Sequence, residues 1–188
     1  MQDTLPIHFA PLQGYTEAIY RNAHDAFFGG VDTYYTPFVR LEKGNFRRRD
    51  VRGIEPENNG VTHLIPQLIA SSAEKAEVIL SLFIEKGYQE VDINLGCPFP
   101  LLAKRHNGSG ILPYPEEVKA LLSIVTRYPQ ISFSVKMRLG WEQPDECLAL
   151  APILNDLPLR QITMHPRLGK QGYKGEVDLQ GFSAFQIG

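Results

Sequence analysis

The stretch Glu90-Val91-Asp92-Ile93-Asn94-Leu95-Gly96-Cys97 decides the fold class of this chain. Its apolar residues Val91, Ile93 and Leu95 identify a short strand, although Asp92 and Asn94 interrupt the apolar run. A helical pattern precedes it at 73–85, and another follows it at 115–127. Working outward from this stretch, the sequence predicts βα units and a parallel sheet.

The same alternation of strand and helix recurs along the rest of the chain. Apolar runs predict six short strands, at 7–11, 33–39, 63–69, 90–97, 132–139 and 161–165. Helical patterns predict helices at 17–26, 73–85, 115–127 and 144–154. Ser71, Ser72 and Glu74 together suit the N-cap of the second helix, and Pro115 suits the first turn of the third. We therefore expect about six βα units in an α/β fold.

The composition predicts one folded domain. The chain has 188 residues, a net charge of -2 and 43% hydrophobic residues, which excludes a disordered chain. No run approaches the ~20 apolar residues that cross a bilayer, and the amino terminus lacks the features of a signal peptide. We therefore expect a cytoplasmic protein whose cysteines, Cys97 and Cys147, are free thiols. The histidines show no metal-ligand spacing, so no metal site is expected.

Polar residues occur repeatedly where the predicted strands end, which is the edge at which parallel α/β folds carry their chemistry. Lys136 is the most informative of them, because it lies between Val135 and Met137 in an otherwise apolar strand. A lysine there either points into a polar cavity or carries a severe desolvation cost. The other strand-end residues with this placement are Gln13, Gln67, Asn94, Cys97, Arg138, His165 and Arg167.

The segment 41–60 is predicted to be a long exposed connection. It combines several glycines and asparagines with a run of bases that includes Arg47, Arg48 and Arg49. Two interpretations stay open for these bases: a solvated loop, or a surface that contacts phosphates.

Several motifs, in this order and spacing, resemble one known family over about residues 7–178. They are Ala10-Pro11-Leu12-Gln13-Gly14-Tyr15-Thr16, Pro66-Gln67-Leu68, Val91-Asp92-Ile93-Asn94-Leu95-Gly96-Cys97-Pro98, Gly108-Ser109-Gly110-Ile111-Leu112, Ser134-Val135-Lys136-Met137-Arg138-Leu139-Gly140-Trp141, Ile162-Thr163-Met164-His165-Pro166-Arg167 and Gln171-Gly172-Tyr173-Lys174-Gly175-Glu176-Val177-Asp178. The family is the tRNA-dihydrouridine synthases.

The resemblance implies a TIM (β/α)8 barrel that binds FMN across the carboxyl ends of its strands, followed by a helical domain that helps hold tRNA. Members of the family reduce the C5–C6 bond of uridines and take their electrons from NADPH. By the resemblance, Asn94 faces the uracil and Cys97 donates the proton. The residues that it assigns to the flavin are Pro11, Leu12, Gln13, Gln67, Lys136 and His165.

The chemistry of such a reduction asks for residues of these types independently. Hydride transfer to C6 leaves a carbanion at C5, which needs a positioned acid, and a thiol is mostly protonated at neutral pH. Cys97 fits that role, although a free cysteine is also often a small buried hydrophobe. Lys136 could stabilise negative charge on a reduced flavin. Arg138 and Arg167 could pair with a phosphate of the substrate or with acidic residues.

The length bears on how much of such a barrel the chain holds. A (β/α)8 barrel typically needs about 250 residues, so 188 residues predict a barrel truncated to about six βα units, without the helical domain. Two other functions remain open from the sequence. One is a dihydroorotate- or pyrimidine-type FMN oxidoreductase that acts without tRNA, and the other is a non-catalytic RNA-binding remnant.

Overall fold

The computed structural model of the chain describes residues 5–187. Nine strands are present in this range: β1 His8–Phe9, β2 Thr33–Tyr35, β3 Leu41–Glu42, β4 Asn45–Phe46, β5 Leu64–Ile65, β6 Gln67–Leu68, β7 Glu90–Leu95, β8 Ser132–Gly140 and β9 Leu159–Leu168. The α-helices are α1 Ala18–Phe27, α2 Arg48–Ile54, α3 Ala73–Glu85, α4 Pro100–Ala103, α5 Pro115–Leu122, α6 Ile124–Arg127, α7 Glu146–Asn155 and α8 Leu179–Ile187. Short 3-10 turns cover Pro56–Asn58 and Gly108–Ile111.

The strands form two parallel sheets whose order follows the chain. One sheet has the order β1-β2-β5 and the other β6-β7-β8-β9, while β3 and β4 form a separate antiparallel hairpin. Only Pro66 separates β5 from β6, and a bridge between Val39 and Leu68 links the two sheets. The prediction of an α/β protein with parallel strands is therefore confirmed.

The hydrophobic core lies between the four-stranded sheet and the helices that cross over it. Its members from the helices include Leu80 and Phe83 of α3, Leu121 of α5 and Leu150 of α7, all completely buried. The strands contribute alternate residues to the same core, namely Val91, Ile93, Leu95, Phe133, Val135, Met137 and Leu139. Because side chains alternate along a strand, the residues between them face the opposite side.

That opposite, inner side of the sheet is polar. The parallel registers align its side chains in rows that run across the strands. Gln67, Asp92, Ser134 and Gln161 form the first row, Asn94, Lys136 and Thr163 the second, and Arg138 and His165 the third. The rows climb toward the carboxyl ends of the strands, so they bring polar side chains to the edge where the sequence predicts a site.

Several predictions of local structure need correction. The segment 41–60 is not exposed throughout, as the prediction of a long exposed connection requires: it holds the hairpin β3–β4 and the helix α2, and both Asp50 and Ile54 are buried. The hairpin turns at Lys43 and Gly44, which both have positive φ, as its two-residue loop requires. The strand predicted at 63–69 is divided by Pro66, and the helix predicted at 115–127 is divided at Ser123. The strand predicted at 161–165 is longer at both ends.

None of the helices in the range 5–187 is both long enough and apolar enough to cross a lipid bilayer. The helix α3 has the predicted bounds, and its N-cap is Ser72, whose hydroxyl accepts a hydrogen bond from the backbone amide of Lys75. The residues 1–4 that begin the chain lie outside the described range.

Candidate active site

A cavity of about 880 Å³ opens at the carboxyl ends of the strands. Nine of the ten residues that the sequence singles out for the site line it: Pro11, Leu12, Gln13, Gln67, Asn94, Cys97, Lys136, Arg138 and His165. Arg167 does not line the cavity. The remaining lining is largely apolar and aromatic, with Pro37, Phe38, Phe99 and Tyr173 among its members. Its size falls in the range of small-molecule and cofactor sites.

The floor of the cavity is a chain of hydrogen-bonded amides. The Nδ2 of Asn94 donates to the Oε1 of Gln67 at 2.7 Å, and the Nε2 of Gln67 donates to the Oδ2 of Asp92 at 2.6 Å. The hydroxyl of Ser134 donates to the other oxygen of Asp92 at 2.6 Å. Asp92 is buried behind the two amides, and sequence reasoning did not single it out for the site. Only long-range strand pairing brings these four side chains together.

Cys97 is held by its backbone in a tight turn after β7. Its amide donates to the Oδ1 of Asn94 at 2.8 Å, and its carbonyl accepts from both the amide and the hydroxyl of Ser109 at 3.0 Å. Burial raises the pKa of its thiol, and the nearby charge of Arg138 opposes that rise only in part. The thiol is therefore protonated at neutral pH. Cys147 is buried in α7, away from this cavity.

Lys136 brings a positive charge to the cavity wall. Within the range 5–187, its ammonium group has no hydrogen-bond or ion-pair partner. Burial lowers its pKa, and the neighbouring carboxylate of Asp92 works in the opposite direction. A cation with this environment is available to a negatively charged or electron-rich ligand.

His165 is a neutral imidazole whose tautomer follows from its neighbour. The guanidinium of Arg167 can only donate, so at 3.0 Å the Nε2 of His165 is the acceptor and Nδ1 carries the proton. Burial, together with the charges of Arg138, Lys136 and Arg167, lowers the pKa of His165 to about 4. Arg167 itself also donates to the carbonyl of Gly175. It therefore contacts His165 rather than the cavity.

Arg138 is almost fully buried, and its guanidinium binds backbone carbonyls of the protein itself. Its guanidinium donates to the carbonyls of Gly96, Leu168 and Gly172 at 2.9, 3.1 and 2.7 Å. It thereby joins the ends of β7, β8 and β9, and the ring of Tyr173 packs over it at 5.4 Å. These contacts give Arg138 a structural role at the wall of the cavity.

Two arginines at the mouth of the cavity were not singled out for the site. Arg40 and Arg47 both line it, and each lies 3.7 Å from a carboxylate oxygen of Glu42. Arg40 directly follows the strand predicted at 33–39, so its position at a strand end was a usable signal. The opening segment adds Gln13, whose buried Oε1 has no hydrogen-bond partner within the described range. No group of three or more potential metal-ligating side chains occurs among residues 5–187.

A parallel α/β fold with a cavity at the carboxyl ends of its strands, lined by apolar surface and a few polar side chains, defines an α/β protein with a candidate small-molecule site. The family model described as "Dihydrouridine synthase (Dus)" matches residues 8–184. The chain therefore belongs to the dihydrouridine synthase family.

Individual relatives agree with this membership. The chain is 29% identical to "Probable tRNA-dihydrouridine synthase 1" of Synechocystis, over 91% of this chain and 48% of that protein. It is 28% identical to "tRNA-dihydrouridine(16) synthase" of Haemophilus ducreyi, over 90% of this chain and 54% of that protein. It is 31% identical to "tRNA-dihydrouridine synthase B" of Vibrio cholerae, over 63% of this chain and 35% of that protein. At its longest matches, the chain spans about half the length of these curated relatives.

Proposed function

We propose that this chain is the FMN-binding barrel portion of a tRNA-dihydrouridine synthase, which reduces uridine to 5,6-dihydrouridine in tRNA with NADPH as the reductant. Family membership supports an oxidoreductase that acts on tRNA. The observation that carries the finer proposal is one cavity lined by the partly buried thiol of Cys97, by three side-chain amides, and by a lysine that has no hydrogen-bond or ion-pair partner among residues 5–187. Parallel βα units that follow one another in order are also what a (β/α)8 barrel is built from.

The residues that line the cavity fit the ring system of FMN. Gln67 and Gln13 offer amide groups for its mixed donor and acceptor edge, and the Oε1 of Gln13 is buried without a partner in the described range. Pro11 and Leu12 supply apolar surface beside them. When bound, FMN supplies the hydride for C6 of the uracil ring.

Lys136 and His165 suit the electron-rich side of such a ring. The ammonium of Lys136 stabilises negative charge in a poorly solvated site, where a fixed cation acts more strongly than in water. His165 adds a neutral ring whose proton is on Nδ1, so it donates a hydrogen bond without adding a charge.

Cys97 would supply the proton. Its thiol holds the proton on Sγ at neutral pH because burial raises its pKa. The proton moves from Sγ to C5 of the uracil, and solvent then returns a proton to the thiolate. Asn94, which fixes the backbone at Cys97, would also contact the uracil through its remaining N–H.

Contacts to tRNA would come from the mouth of the cavity. Arg40 and Arg47 lie there on either side of Glu42, which shields part of their charge. A phosphate of the tRNA backbone could take the place of that carboxylate. Such an exchange favours the interpretation that Arg47, one of the basic residues of segment 41–60, contacts phosphate.

The test begins with the flavin and then adds the substrate. FMN is titrated into the purified chain while its fluorescence is followed, and we expect saturable quenching that weakens at least tenfold in Lys136→Met. Unmodified tRNA and NADPH are then added, and dihydrouridine is measured by mass spectrometry. Cys97→Ala should retain FMN but lose dihydrouridine formation, while the control Cys147→Ala should resemble the wild type.

The same experiment separates the alternative functions. Reduction of a free pyrimidine in the absence of tRNA would select the dihydroorotate- or pyrimidine-type oxidoreductase. Binding of tRNA that is sensitive to salt, unchanged by Cys97→Ala and accompanied by no flavin binding would select the non-catalytic RNA-binding protein.

A further inference from the structure

The side-chain amides of Asn94 and Gln67 on the cavity floor can be oriented in only one way, and the backbone sets which end donates and which end accepts. The Oδ1 of Asn94 faces the amides of Gly96 and Cys97 at 3.0 and 2.8 Å. A backbone amide can only donate, so an oxygen must face both of them and the Nδ2 of Asn94 must point the other way. It points at Gln67, whose Oε1 accepts the hydrogen bond.

The hydrogen-bonded series that runs from Asn94 through Gln67 must end in an acceptor, and that acceptor is Asp92. Because the Oε1 of Gln67 is turned to Asn94, its Nε2 is turned to Asp92. Gln67, Asp92 and Ser134 are each about 1% exposed, so water cannot replace a missing acceptor there. Asp92 does not line the cavity. Its effect on a ligand would therefore pass through Gln67 and Asn94.

We propose that Asp92 is a positioning residue that fixes which hydrogen-bonding groups Gln67 and Asn94 present to the cavity. The inference deepens the proposed function and rests on it for the identity of the ligand. With both lone pairs of its Oδ1 occupied by backbone amides, Asn94 presents only an N–H. Gln67 presents one N–H and one lone pair in a fixed arrangement. The two amides would face different rings: Gln67 faces the flavin, and the N–H of Asn94 faces a ring carbonyl of the uracil.

The donor-to-acceptor order of these hydrogen bonds can be reversed by moving the carboxylate from position 92 to position 94. In Asn94→Asp, the new carboxylate still accepts from Gly96 and Cys97, but its second oxygen opposes the Oε1 of Gln67. In the double variant Asp92→Asn/Asn94→Asp, Gln67 can turn over. Its Nε2 then donates to residue 94, its Oε1 accepts from the amide of residue 92, and the carbonyl of residue 92 accepts from Ser134.

The stability of the ligand-free chain measures the energetic coupling between the side chains at positions 92 and 94, which act on each other through Gln67. We expect Asn94→Asp to raise the equilibrium constant of unfolding in urea by about tenfold to a hundredfold, because a buried acceptor loses its donor. Adding Asp92→Asn should recover at least tenfold of that loss, whereas Asp92→Asn alone should have a smaller effect than Asn94→Asp. A double variant no more stable than the two single effects combined would overturn the proposal.

Asn22 provides a matched control. Its Oδ1 accepts from the amide of Gly60 at 3.0 Å and its Nδ2 donates to the carbonyl of Asn58 at 2.9 Å, but these bonds are exposed. We expect Asn22→Asp to have little effect and to show no coupling with Asp92→Asn. Equal coupling of Asp92→Asn with both sites would show a general charge effect and would also overturn the proposal.

Ligand affinity separates positioning from simple structural support. In the double variant, stability recovers but the donors and acceptors of the floor stay reversed. FMN titration should therefore give an affinity at least tenfold below that of the wild type. An affinity that recovers together with stability would refute the positioning role. Failure of the wild type to bind FMN would count against the proposed function alone, because the coupling is measured without ligand.

Discussion

Replacing Gly108 by alanine should move Cys97, and the structure sets the size of the effect. Gly108 has φ +59, and a Cβ built there would lie 2.5 Å from the carbonyl oxygen of Cys97 and 2.8 Å from its Cβ. Ordinary contact begins at 3.4 Å, so one side must give way by about 1 Å. Overpacking of this kind costs about 1–3 kcal/mol. The left-handed backbone of a non-glycine residue adds about 1–2 kcal/mol.

Gly172 separates these two contributions. Its φ is +58, yet a Cβ there would meet no atom within 4 Å. Gly172→Ala should therefore lose only the backbone part, about 1–2 kcal/mol of unfolding free energy, whereas Gly108→Ala should lose about 2–5 kcal/mol. Urea unfolding followed by tryptophan fluorescence compares the two variants.

Displacement of Cys97 has a second readout in the chemistry. Misplacing a reacting group by about 1 Å can lower a rate by about a hundredfold. Uridine reduction by Gly108→Ala should fall by that order even at temperatures where the variant is folded, while Gly172→Ala should retain its rate. Equal stability of the two variants would refute the reasoning, because it would mean that Gly108 does not pack against Cys97.

Three further outcomes are expected. In a Cys147→Ser background, the rate at which iodoacetamide alkylates Cys97 should rise only at a pH above the pKa of an ordinary thiol, because burial raises the pKa of Cys97. A midpoint of this pH profile below the pKa of an ordinary thiol would contradict the prediction. Arg138→Met should destabilise the chain by about 1–3 kcal/mol in urea unfolding, because the buried carbonyl of Gly96 and the partly buried carbonyls of Leu168 and Gly172 lose their donor. The imidazole of His165 should titrate near pH 4 by NMR. Since the unfolded histidine binds its proton more readily, stability should fall as pH drops from about 6.5 toward 4, and less so in His165→Gln.

The sequence predicts the regular part of the fold well, and the reasons are local. The bounds of α3 follow from the cap at Ser72 and the spacing of its apolar residues. Segment 41–60 was misread because its many charges hide α2, whose inward side consists of only Asp50, Gly53 and Ile54. The strand at 63–69 is divided because Pro66 has no backbone N–H to give to a ladder.

The site was predictable in its membership but not in its connections. Alternation along β8 places Lys136 on the inner face, and family motifs identify Gln67, Asn94 and Cys97. Asp92 was missed because its role depends on hydrogen bonds to residues 25 and 42 positions away. Pairing of Arg138 with a phosphate of the substrate or with acidic residues stays a prediction. The three carbonyls that it binds could not be predicted from the sequence, because they converge only after β7, β8 and β9 have paired.

The sheet order has a consequence for how the chain is made. Within each parallel sheet, every strand after the first pairs with the strand that precedes it in that sheet: β2 with β1, β5 with β2, β7 with β6, β8 with β7 and β9 with β8. Among residues 5–187, each of these later strands therefore leaves the ribosome when the strand that it pairs with has already been synthesised. Folding can advance one βα unit at a time, from the amino terminus onward. Assembly of the two parallel sheets would then run in the same direction as synthesis of the chain, from the amino terminus onward.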